Sequence, residues 1–496
     1  MKKFSVKKMF FGFTVLAVML IFVGCGAGDG NTSSGTVLNS DFFTGKIEGE
    51  ITVSAYNSMT YKNYLEEAAR GFEALYPGTK VNIETFSAMP EIRTGGQGDM
   101  QVMSIQMQDD PQSRQDYLNR VNTNLMSGTG ADIYAMDVLP LHKFTQSGTL
   151  ENLEPYMNLD PNFNKADYKQ NIIEALRYKD GIWLLPLDYS FNYFAYDSTL
   201  VPANIAAGFG PDKAFSTEQL FQLGIPLYDG TYKLFNAMGG TADGIFNQLL
   251  NENIRSFINL DTGRANFVDG KFTGLLSSVK NYTDQGYIPQ AITGQQNAGQ
   301  FMRSAATAIT DRYFFKLNAN VALFGQFARG IGVMVGMMNA GSSPAVSTDD
   351  EIAGIQANAD GFVPFTYTQG FGISSQSKNK ATAWAFIKYL LSKEMQLSTN
   401  LIDMGFRINN EARAERAALS FSGRSGQAPN EQQLQALEKY KAVVEMLSDS
   451  INTFVVQDSS LNDMIRPELQ YFFAGTRSAD EAARVLQNRA DLYLSE

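Results

Sequence analysis

The sequence contains few of the residues that build disulfides and metal sites. Among its 496 residues there are one cysteine, Cys25, and one histidine, His142. A single cysteine excludes an intrachain disulfide and a zinc site made of several thiolates. A single histidine excludes a histidine cluster, and Cys25 lies far from it, so no Ser-His-Asp or Cys-His catalytic arrangement is indicated. We therefore expect no metal and no cofactor.

Positive charge is also in short supply. The chain has 40 Lys and Arg residues against 51 Asp and Glu residues, which gives a net charge of −11. An acidic chain without a basic stripe argues against nucleic acid as a partner. The apolar content of 44% and the moderate charge are typical of a folded soluble protein. A length of 496 residues is too great for one ordinary core, which predicts two or more domains.

The N-terminus has an apolar run that is too short for a membrane span. Four lysines precede residues 9–23, a mainly apolar run of 15 residues. A span needs about 20 residues, so we predict an export signal over residues 1–24. Cys25 follows at once, which resembles the bacterial lipoprotein signal, with Phe22 where leucine is usual. The resemblance implies a lipid on Cys25 and an anchor on the outer face of the cell membrane.

The body of the chain opens with an α/β pattern. Residues 25–45 are rich in Gly, Ser, Thr, Asn and Asp and predict a flexible tether. Within residues 50–85, an alternating strand, an amphipathic helix that stops at Pro77, and a second alternating strand follow one another. This order predicts a βαβ unit and a parallel sheet. Because ligands bind at the carboxyl ends of such strands, Tyr56 and Asn57 are candidate ligand residues.

A third buried strand is predicted at residues 133–136, and Asp137 lies just past its carboxyl end. The preceding GTGAD, residues 128–132, is not a dinucleotide fingerprint, because it lacks the third glycine and precedes a strand. Residues 89–110 are rich in Gln, Met and Gly, have no clear period and are interpreted as a surface insertion. His142 falls in a predicted helix and is interpreted as a surface residue.

The segment 180–199 bears on the number of sheets. An apolar run is broken by Pro186, and an aromatic strand pattern, residues 191–196, follows it. Proline cannot donate to a central ladder, so the chain bends or leaves a sheet near Pro186. Asp188 and Tyr189 lie between the two halves and are candidate ligand residues. A crossing between two sheets is one interpretation, and an edge hairpin in a single domain is the alternative.

Five segments stand in an order that is informative as a whole. In chain order they are GTGAD with the following strand (128–136), QSGTLENL (146–153), KDGIWLLPL (179–187), GFGIS (370–374) and ATAWAFIKYLL (381–391). Together they resemble family 1 extracellular solute-binding proteins, which serve ABC importers, mostly for sugars. Each segment is weak evidence by itself, but their order and spacing are specific. The resemblance extends over nearly the whole body from Glu50 onward.

The resemblance implies an α/β fold with two hinged lobes and a ligand cleft between them, the type II periplasmic-binding-protein-like fold. Lobe one is expected to comprise residues 46–187 and 337–403, and the helix-rich lobe two residues 188–336 and 404–496. Crossings are expected near Asp188, Gly336 and Met404. A ligand can close such a cleft only if it contacts both lobes. A ligand with equal affinity for the open and closed states does not shift the equilibrium between them.

The resemblance also implies a function. We expect a monomer, not an enzyme, that captures a sugar or oligosaccharide outside the cell and delivers it to the permease of an ABC importer. Tyr313 falls where the family carries an aromatic that stacks on sugar, and Arg312 beside it is unusual. Aromatic rings can cover the apolar faces of a sugar, while carboxylates and amides bind its hydroxyls. The candidate ligand residues are Tyr56, Asn57, Asp137, Asp188, Tyr189, Arg312 and Tyr313.

Two other classes of function stay open at this point. A secreted carbohydrate-active enzyme needs two carboxylates across a cleft, and a chain with 51 acidic residues does not exclude such a pair. A cell-surface adhesin would also be a lipoprotein. Reversible binding of an unmodified ligand in a calorimetric screen supports a transporter component, whereas turnover supports an enzyme.

Overall fold

Two β-sheets organise the part of the chain that the structure describes. The computed structural model describes residues 38–56, 58–86, 91–95, 102–106, 111–228, 230, 234, 242–288, 314–318, 350–401, 405–421, 431–455 and 458–495. The strands are β1 (Gly49–Ala55), β2 (Thr79–Thr85), β3 (Glu91–Gly95), β4 (Val102–Gln106), β5 (Ile133–Ala135), β6 (Leu185–Pro186), β7 (Asp188–Asp197), β8 (Ala214–Phe215), β9 (Ile258–Asn259), β10 (Arg264–Ala265), β11 (Phe314–Asn318), β12 (Asp350–Gln356), β13 (Pro364–Thr366), β14 (Gly370–Ile373), β15 (Phe406–Arg407) and β16 (Thr453–Phe454).

Helices are spread along the whole described chain. They are α1 (Ser40–Thr44), α2 (Ser58–Leu75), α3 (Pro111–Met126), α4 (Leu141–Gln146), α5 (Glu154–Leu159), α6 (Gln170–Ala175), α7 (Ala203–Ala206), α8 (Thr217–Gly224), α9 (Ala242–Glu252), α10 (Ile254–Phe257), α11 (Lys271–Asp284), α12 (Lys380–Leu390), α13 (Lys393–Gln396), α14 (Asn410–Phe421), α15 (Glu431–Asp449), α16 (Ser459–Phe473) and α17 (Ala479–Ser495). Two short 3₁₀ helices add Lys165–Asp167 and Ile225–Leu227.

The small sheet has five strands in the order β2-β1-β5-β14-β6. β1 pairs in parallel with β2 over its whole length, from Gly49 opposite Thr79 to Ala55 opposite Thr85, and pairs in parallel with β5 on its other side. β14 runs antiparallel to both β5 and β6. The predicted βαβ unit is therefore confirmed, and β1, β2, β5 and β6 all point the same way.

Helices α2 and α12 pack on the small sheet and on each other. The ring of Phe72 lies 5.2 Å from that of Phe386, and the Tyr64 hydroxyl donates to the carbonyl of Leu390 at 2.9 Å. The α2 sequence dictates this packing, because its large apolar residues recur every three or four positions and are buried. Gly78, whose φ of 106° favours glycine, then turns the chain into β2.

β7, ten residues long, is the centre of the large sheet. This sheet follows the order β16-β13-β7-β12-β8, and β11 and β15 also pair with β7. Leu187 alone separates β7 from β6, which is the edge strand of the small sheet and contains Pro186. The crossing between two sheets is therefore confirmed and the single hairpin is wrong. Pro186 is tolerated in β6 because an edge strand can lack one backbone N–H donor.

Side chains along β7 alternate between two buried clusters. Tyr189, Phe191 and Tyr193 belong to the first cluster, together with the small sheet and helices α2, α12 and α15. Phe194 and Tyr196 belong to the second cluster, together with α8, α9, α11, α16 and α17. Two clusters with their own helices produce the two-lobe architecture. Below, lobe one is the small sheet with the first cluster, and lobe two is the second cluster with its helices.

The lobe boundaries along the chain stay a prediction, and the packing of three elements bears on them. β12 and β13 pair with β7 in the large sheet, although they fall within residues 337–403, which were assigned to lobe one. Helix α15 packs in the first cluster through Tyr440, although it falls within residues 404–496, which were assigned to lobe two. The chain therefore passes between sheets and clusters at other points than a simple division suggests.

The described chain passes between the two sheets at two places and between the two clusters at a third. The first is Leu187, between β6 and β7, and the second is residues 367–369, between β13 of the large sheet and β14 of the small sheet. The third follows β16, because the next helix, α16, belongs to the second cluster. The expected crossings near Gly336 and Met404 lie outside the described residues.

One local interpretation is wrong, and the structure adds detail to another. Residues 89–110 contain an antiparallel hairpin of β3 and β4, in which Glu91 lies opposite Gln106. A hairpin is compatible with a surface insertion, so that interpretation of the segment stays a prediction. His142 is 4% exposed, so its interpretation as a surface residue is wrong. Helices α16 and α17 cover it, and Asp458 and Tyr493 approach its imidazole.

A charged network fastens α15 to the segment before α6. The Lys169 ammonium lies 2.6 Å from Glu445 and 2.5 Å from Asp449, and the Arg413 guanidinium lies 2.9 Å from the same Glu445. Lys169 is 7% exposed, so its charge depends on these carboxylates. Burial works to raise the pKa of Glu445, but Arg413 and Lys169 outweigh burial and lower that pKa below its usual range.

Glu445→Gln should cost stability in a way that depends on pH. Since the folded-state pKa of Glu445 lies below its unfolded value, its charge stabilises the fold above about pH 4.5 and ceases to do so as the pH falls through the folded pKa. In urea unfolding the two proteins should differ by about 1 kcal/mol at neutral pH and converge in acid. A difference that does not change with pH would contradict the network. Glu438→Gln, at an exposed pair with Lys441 on the same helix, is the control.

Candidate functional site

The carboxyl ends of the parallel strands define one edge of the small sheet. Tyr56 follows β1, and Phe86 follows β2. Asp137 lies two residues past β5, and Asp188 lies two residues past β6. β14 runs the opposite way, so residues 367–369, which precede it, reach the same edge. Ligands of open α/β sheets bind outside this edge, which makes it the candidate site.

Tyr56 lies in an aromatic group at this edge. Its ring stacks on Phe86 at 6.3 Å and is tilted against Tyr117 at 5.6 Å. The Tyr117 hydroxyl shares a hydrogen bond of 3.1 Å with the hydroxyl of Ser54. Tyr56 is 8% exposed, so most of its ring surface is already covered by lobe one.

Asp137 is half-buried and acts on three tyrosines around it. Burial raises the pKa of the Tyr61, Tyr117 and Tyr367 hydroxyls, and the nearby Asp137 carboxylate adds to each increase. The tyrosines therefore keep their protons beside a carboxylate. A carboxylate that only accepts and hydroxyls that can donate form a set of groups that matches hydroxyl-bearing ligands.

Asp188 is fully buried at the crossing between the sheets. Its Oδ1 accepts from the backbone N–H of Thr368 at 2.8 Å, and Arg407 lies directly opposite it across the pair of β7 and β15. Arg407 is 1% exposed and also donates to the carbonyl of Leu401 at 2.9 Å. Opposite residues of an antiparallel pair share one face, so the carboxylate and the guanidinium are neighbours. Asp188 thus connects three segments of the chain at the crossing.

Tyr189 points to the other face of β7. It is fully buried, with its ring 6.4 Å from Phe191 and 5.5 Å from Phe406. Successive side chains of a strand point to opposite faces, so Asp188 and Tyr189 cannot both face one cleft. The structure places the Tyr189 ring in the packing of the first cluster.

The face of β7 that carries Asp188 stays polar for two more positions. Ser190 and Asn192 follow on this face before Phe194 enters the second cluster. The Asn192 side-chain amide donates to Gln356 Oε1 at 3.0 Å. Polar and aromatic residues alternate from position 188 to position 192, and this alternation is the sequence signal that could have identified the polar face.

Glu252 orients the amides beside this polar face. Its buried carboxylate accepts from the backbone N–H of Thr217 at 3.1 Å, from the Thr217 hydroxyl, and from the side-chain amide of Gln356. A carboxylate can only accept, so it fixes which end of the Gln356 amide points towards it. Gln356 then presents its oxygen to Asn192, which sets the orientation of that amide as well.

The structure brings together some of the seven predicted ligand residues and separates others. Asp137 and Asp188 lie close enough to Tyr61 that both carboxylates raise its pKa, after the larger effect of burial. Tyr56 stands at the same edge, whereas Tyr189 faces the first cluster. Outside the described residues lie Asn57, Arg312 and Tyr313. The ligand roles of all seven residues stay predictions.

Neither a metal centre nor a membrane span is found in the described part of the chain. No group of three or more His, Cys, Asp or Glu side chains stands there in an arrangement that could hold a metal ion. None of the helices with described residues combines the length and the apolar character needed to cross a membrane.

Two α/β lobes, a crossing strand and a polar edge between them define a class of binding proteins with hinged lobes. The sequence profile of the family described as bacterial extracellular solute-binding protein matches residues 56–397 of this chain. That match spans more than half of the sequence, so the protein belongs to this family. The resemblance drawn from the five sequence segments is therefore confirmed.

Solved structures have the same fold at low sequence identity. A putative oligosaccharide periplasmic-binding protein from Synechococcus sp. MITs9220 is 14% identical with a TM-score of 0.55, over 90% of this chain and 99% of its own. The GacH receptor of Streptomyces glaucescens GLA.O is 14% identical with a TM-score of 0.52, over 90% and 100%. The cyclic alpha-maltosyl-1,6-maltose binding protein from Arthrobacter globiformis is 15% identical with a TM-score of 0.51, over 90% and 99%. These likenesses confirm the expected two-lobe α/β fold.

Asp188→Asn should destabilise the unliganded protein. The amide can still accept from Thr368, but the negative charge opposite Arg407 is lost, and an uncompensated buried charge costs about 3 kcal/mol. Thermal and urea unfolding without ligand measure the loss. Ser190→Ala on the same face of β7 is the matched control, because it removes a hydroxyl and no charge. Unchanged stability together with weaker ligand binding would make Asp188 a ligand residue and not a support of the crossing.

Proposed function

We propose that this protein captures a sugar or oligosaccharide outside the cell and delivers it to the permease of an ABC importer. The observation that supports this most is the meeting of polar groups at one edge, where Asp137, Asp188 and the polar face of β7 converge from the two sheets. The GacH receptor was solved with acarbose, and the other two structures are described as oligosaccharide binders, which supports a saccharide ligand. A ligand that contacts both lobes at this edge favours the closed state.

The chemistry of the edge favours a neutral saccharide. Asp137 supplies acceptors, Tyr61 and Tyr367 carry hydroxyls, and the oriented amide of Asn192 can meet further hydroxyls. Arg407 is almost fully buried opposite Asp188, so its charge is used within the crossing and does not serve an acidic ligand.

The same groups fit glycoside hydrolysis poorly. That reaction needs two carboxylates that reach the scissile bond from its two sides. Of the two carboxylates among the predicted ligand residues, Asp188 is fully buried and accepts from the backbone of Thr368, so only Asp137 could reach a ligand. We therefore propose a binding protein without catalytic residues.

We also propose that a lipid on Cys25 anchors the protein as a monomer at the outer face of the membrane. The N-terminal lysines, the short apolar run and the cysteine that follows it support this anchor. The expected tether of residues 25–45 is shortened by α1 (Ser40–Thr44), because Phe43 is buried in the first cluster. Residues 25–37 would then act as a flexible tether with a mean reach of about 20 Å. That reach keeps the cleft close to a membrane permease while leaving the lobes free to move.

Asp137→Asn should weaken saccharide binding with little effect on thermal stability. A carboxylate accepts stronger hydrogen bonds from hydroxyls than a neutral amide does, so we expect about a tenfold loss, or 1.4 kcal/mol. Titration calorimetry with a panel of neutral mono- and oligosaccharides measures it. Asp180→Asn, at an exposed turn, is the matched control and should bind as the parent does.

Two outcomes of the same calorimetric panel would contradict the proposed function. Conversion of a saccharide into new products, detected by chromatography of the recovered sample, would support a carbohydrate-active enzyme. No binding of any saccharide by the folded parent protein would point to another solute or to an adhesin.

Cys25→Ser should prevent lipid attachment. The variant should be found in the culture medium or remain with an uncleaved signal, because serine offers no thiol for the lipid. Labelling with a radioactive or clickable fatty acid, followed by membrane fractionation, measures the difference. Parent protein that takes up no acyl label would contradict the anchor without bearing on ligand binding.

A further inference from the structure

The first two turns of helix α16 reach from lobe two to lobe one. Asp463 Oδ2 lies 2.9 Å from a terminal nitrogen of Arg114 in α3, and Asp458 Oδ2 lies 3.8 Å from Nδ1 of His142 in α4. Helix α16 packs in the second cluster, for example through Leu461, whereas α3 and α4 pack in the first. Both contacts therefore join the two lobes.

These contacts lie at the edge where the ligand is expected. Helix α3 ends just before β5 begins, and α4 starts just after β5, so the N-terminal turns of both helices lie near the carboxyl end of β5. Asp137 stands at that end, and its effect on Tyr117, one turn after Arg114, agrees with this placement. The lobes cannot separate at this edge without breaking both contacts.

Burial acts on both contacts, because it shields Arg114 from water and holds the His142 imidazole beside Asp458. Arg114 is 9% exposed, and His142 and Asp458 are each 4% exposed. Asp458 is held in place from its own lobe, because it caps α16 by accepting from backbone N–H groups and also accepts from the Tyr493 hydroxyl at 2.8 Å. The Lys143 ammonium lies 3.7 Å from the centre of the Tyr493 ring. Charged groups that are shielded from water interact more strongly than exposed ones.

Neutral contacts extend the junction on the same side. The Gln146 side chain and the Tyr178 hydroxyl of lobe one both donate to the carbonyl of Leu260 in lobe two, at 3.1 Å and 3.0 Å. A neutral hydrogen bond of this kind has no charge that a substitution could reverse. The Arg114–Asp463 pair is therefore the contact whose reversal should show most clearly in the balance between open and closed lobes.

We propose that Arg114 and His142 form a latch with Asp463 and Asp458 that holds the cleft closed before a ligand binds. The latch rests on the proposed function, in which the lobes open and close. A ligand that binds the closed state gains apparent affinity in proportion to the fraction of molecules already closed. The latch therefore raises the affinity for every ligand alike, whereas the groups at the edge discriminate among ligands.

The latch should respond to pH through His142. Burial lowers the pKa of the His142 imidazole, Lys143 on its own helix lowers it further, and Asp458 on α16 opposes both. Tyr493 on α17 also faces the imidazole. In open lobes the imidazole meets water and has its usual pKa of about 6.5, so protons bind the open state more tightly. Acidification through about pH 6.5 should therefore open the lobes.

Pulsed electron spin resonance on the unliganded full-length chain tests the latch. In a Cys25→Ser background, which removes the one cysteine of the sequence, spin labels at Asn122→Cys in α3 and Ser277→Cys in α11 report the distance between the lobes. Arg114→Glu places two like charges face to face and should shift the distances to longer values. Arg114→Glu combined with Asp463→Arg reverses the pair and should restore the shorter distances.

A matched variant and a folding check make the result decisive. Arg120→Glu lies on the same helix, and Arg120 contacts Glu84 within lobe one at 3.6 Å, so this variant should keep the distances of the parent. Thermal unfolding confirms that each variant is folded. Unchanged distances in folded Arg114→Glu would overturn the latch. Because no ligand is present, failure to bind saccharides would overturn the proposed function alone.

Distance measurements at two pH values distinguish the role of His142 from that of the Arg114–Asp463 pair. The parent should show longer distances at about pH 5.5 than at about pH 7.5, and His142→Gln should respond less. Equal responses of the two proteins would overturn the role of His142 in the latch. Loss of the response only in His142→Gln would support it, since a merely structural change would shift both pH values alike.

Discussion

A single strand has to serve both lobes, and the alternation of its side chains is what makes this possible. Along β7, Tyr189, Phe191 and Tyr193 pack in the first cluster, while the opposite face begins polar at Asp188 and enters the second cluster at Phe194. A slip of one residue would exchange the two faces, so the register must be fixed firmly. β13 and β15 pair near the start of β7, and β11 and β12 pair towards its end. Freedom to hinge is therefore left to the short links outside β7.

Charges are buried where the segments of lobe one and the crossing meet. Asp188 faces Arg407 at the start of β7, and Asp160 accepts from the Trp384 indole at 2.7 Å and pairs with Lys388 at 2.6 Å. Burying an ion pair costs desolvation that its attraction only offsets in part, so such pairs add little net stability. They do penalise every arrangement in which one partner is left alone. We infer that at the crossing they select one geometry among several packings of similar apolar area.

Periodicity predicted the fold better than it predicted the site. The βαβ unit and helix α17, with its capping box at Ser478 and Glu481, follow from local patterns that the structure confirms. The polar face of β7 was visible as alternation, but the partners that orient it were not. Glu252 and Gln356 come from distant segments, and no local pattern carries their proximity. His142 was misjudged for the same reason, because the helices that bury it follow some three hundred residues later in the chain.

Binding strength and ligand choice rest on different parts of this molecule. Apparent affinity equals the affinity of the closed state multiplied by the closed fraction, so raising that fraction from about 1% to about 50% improves it about fiftyfold, or 2.3 kcal/mol. Beyond that point a stronger latch adds almost no affinity and slows entry, since a solute must reach an open cleft. Asp463 is 41% exposed, and a pair with one such partner is worth about 1 kcal/mol. A contact of that strength changes the ratio of closed to open molecules about fivefold, so it favours closure and still allows ligand and pH to shift the balance.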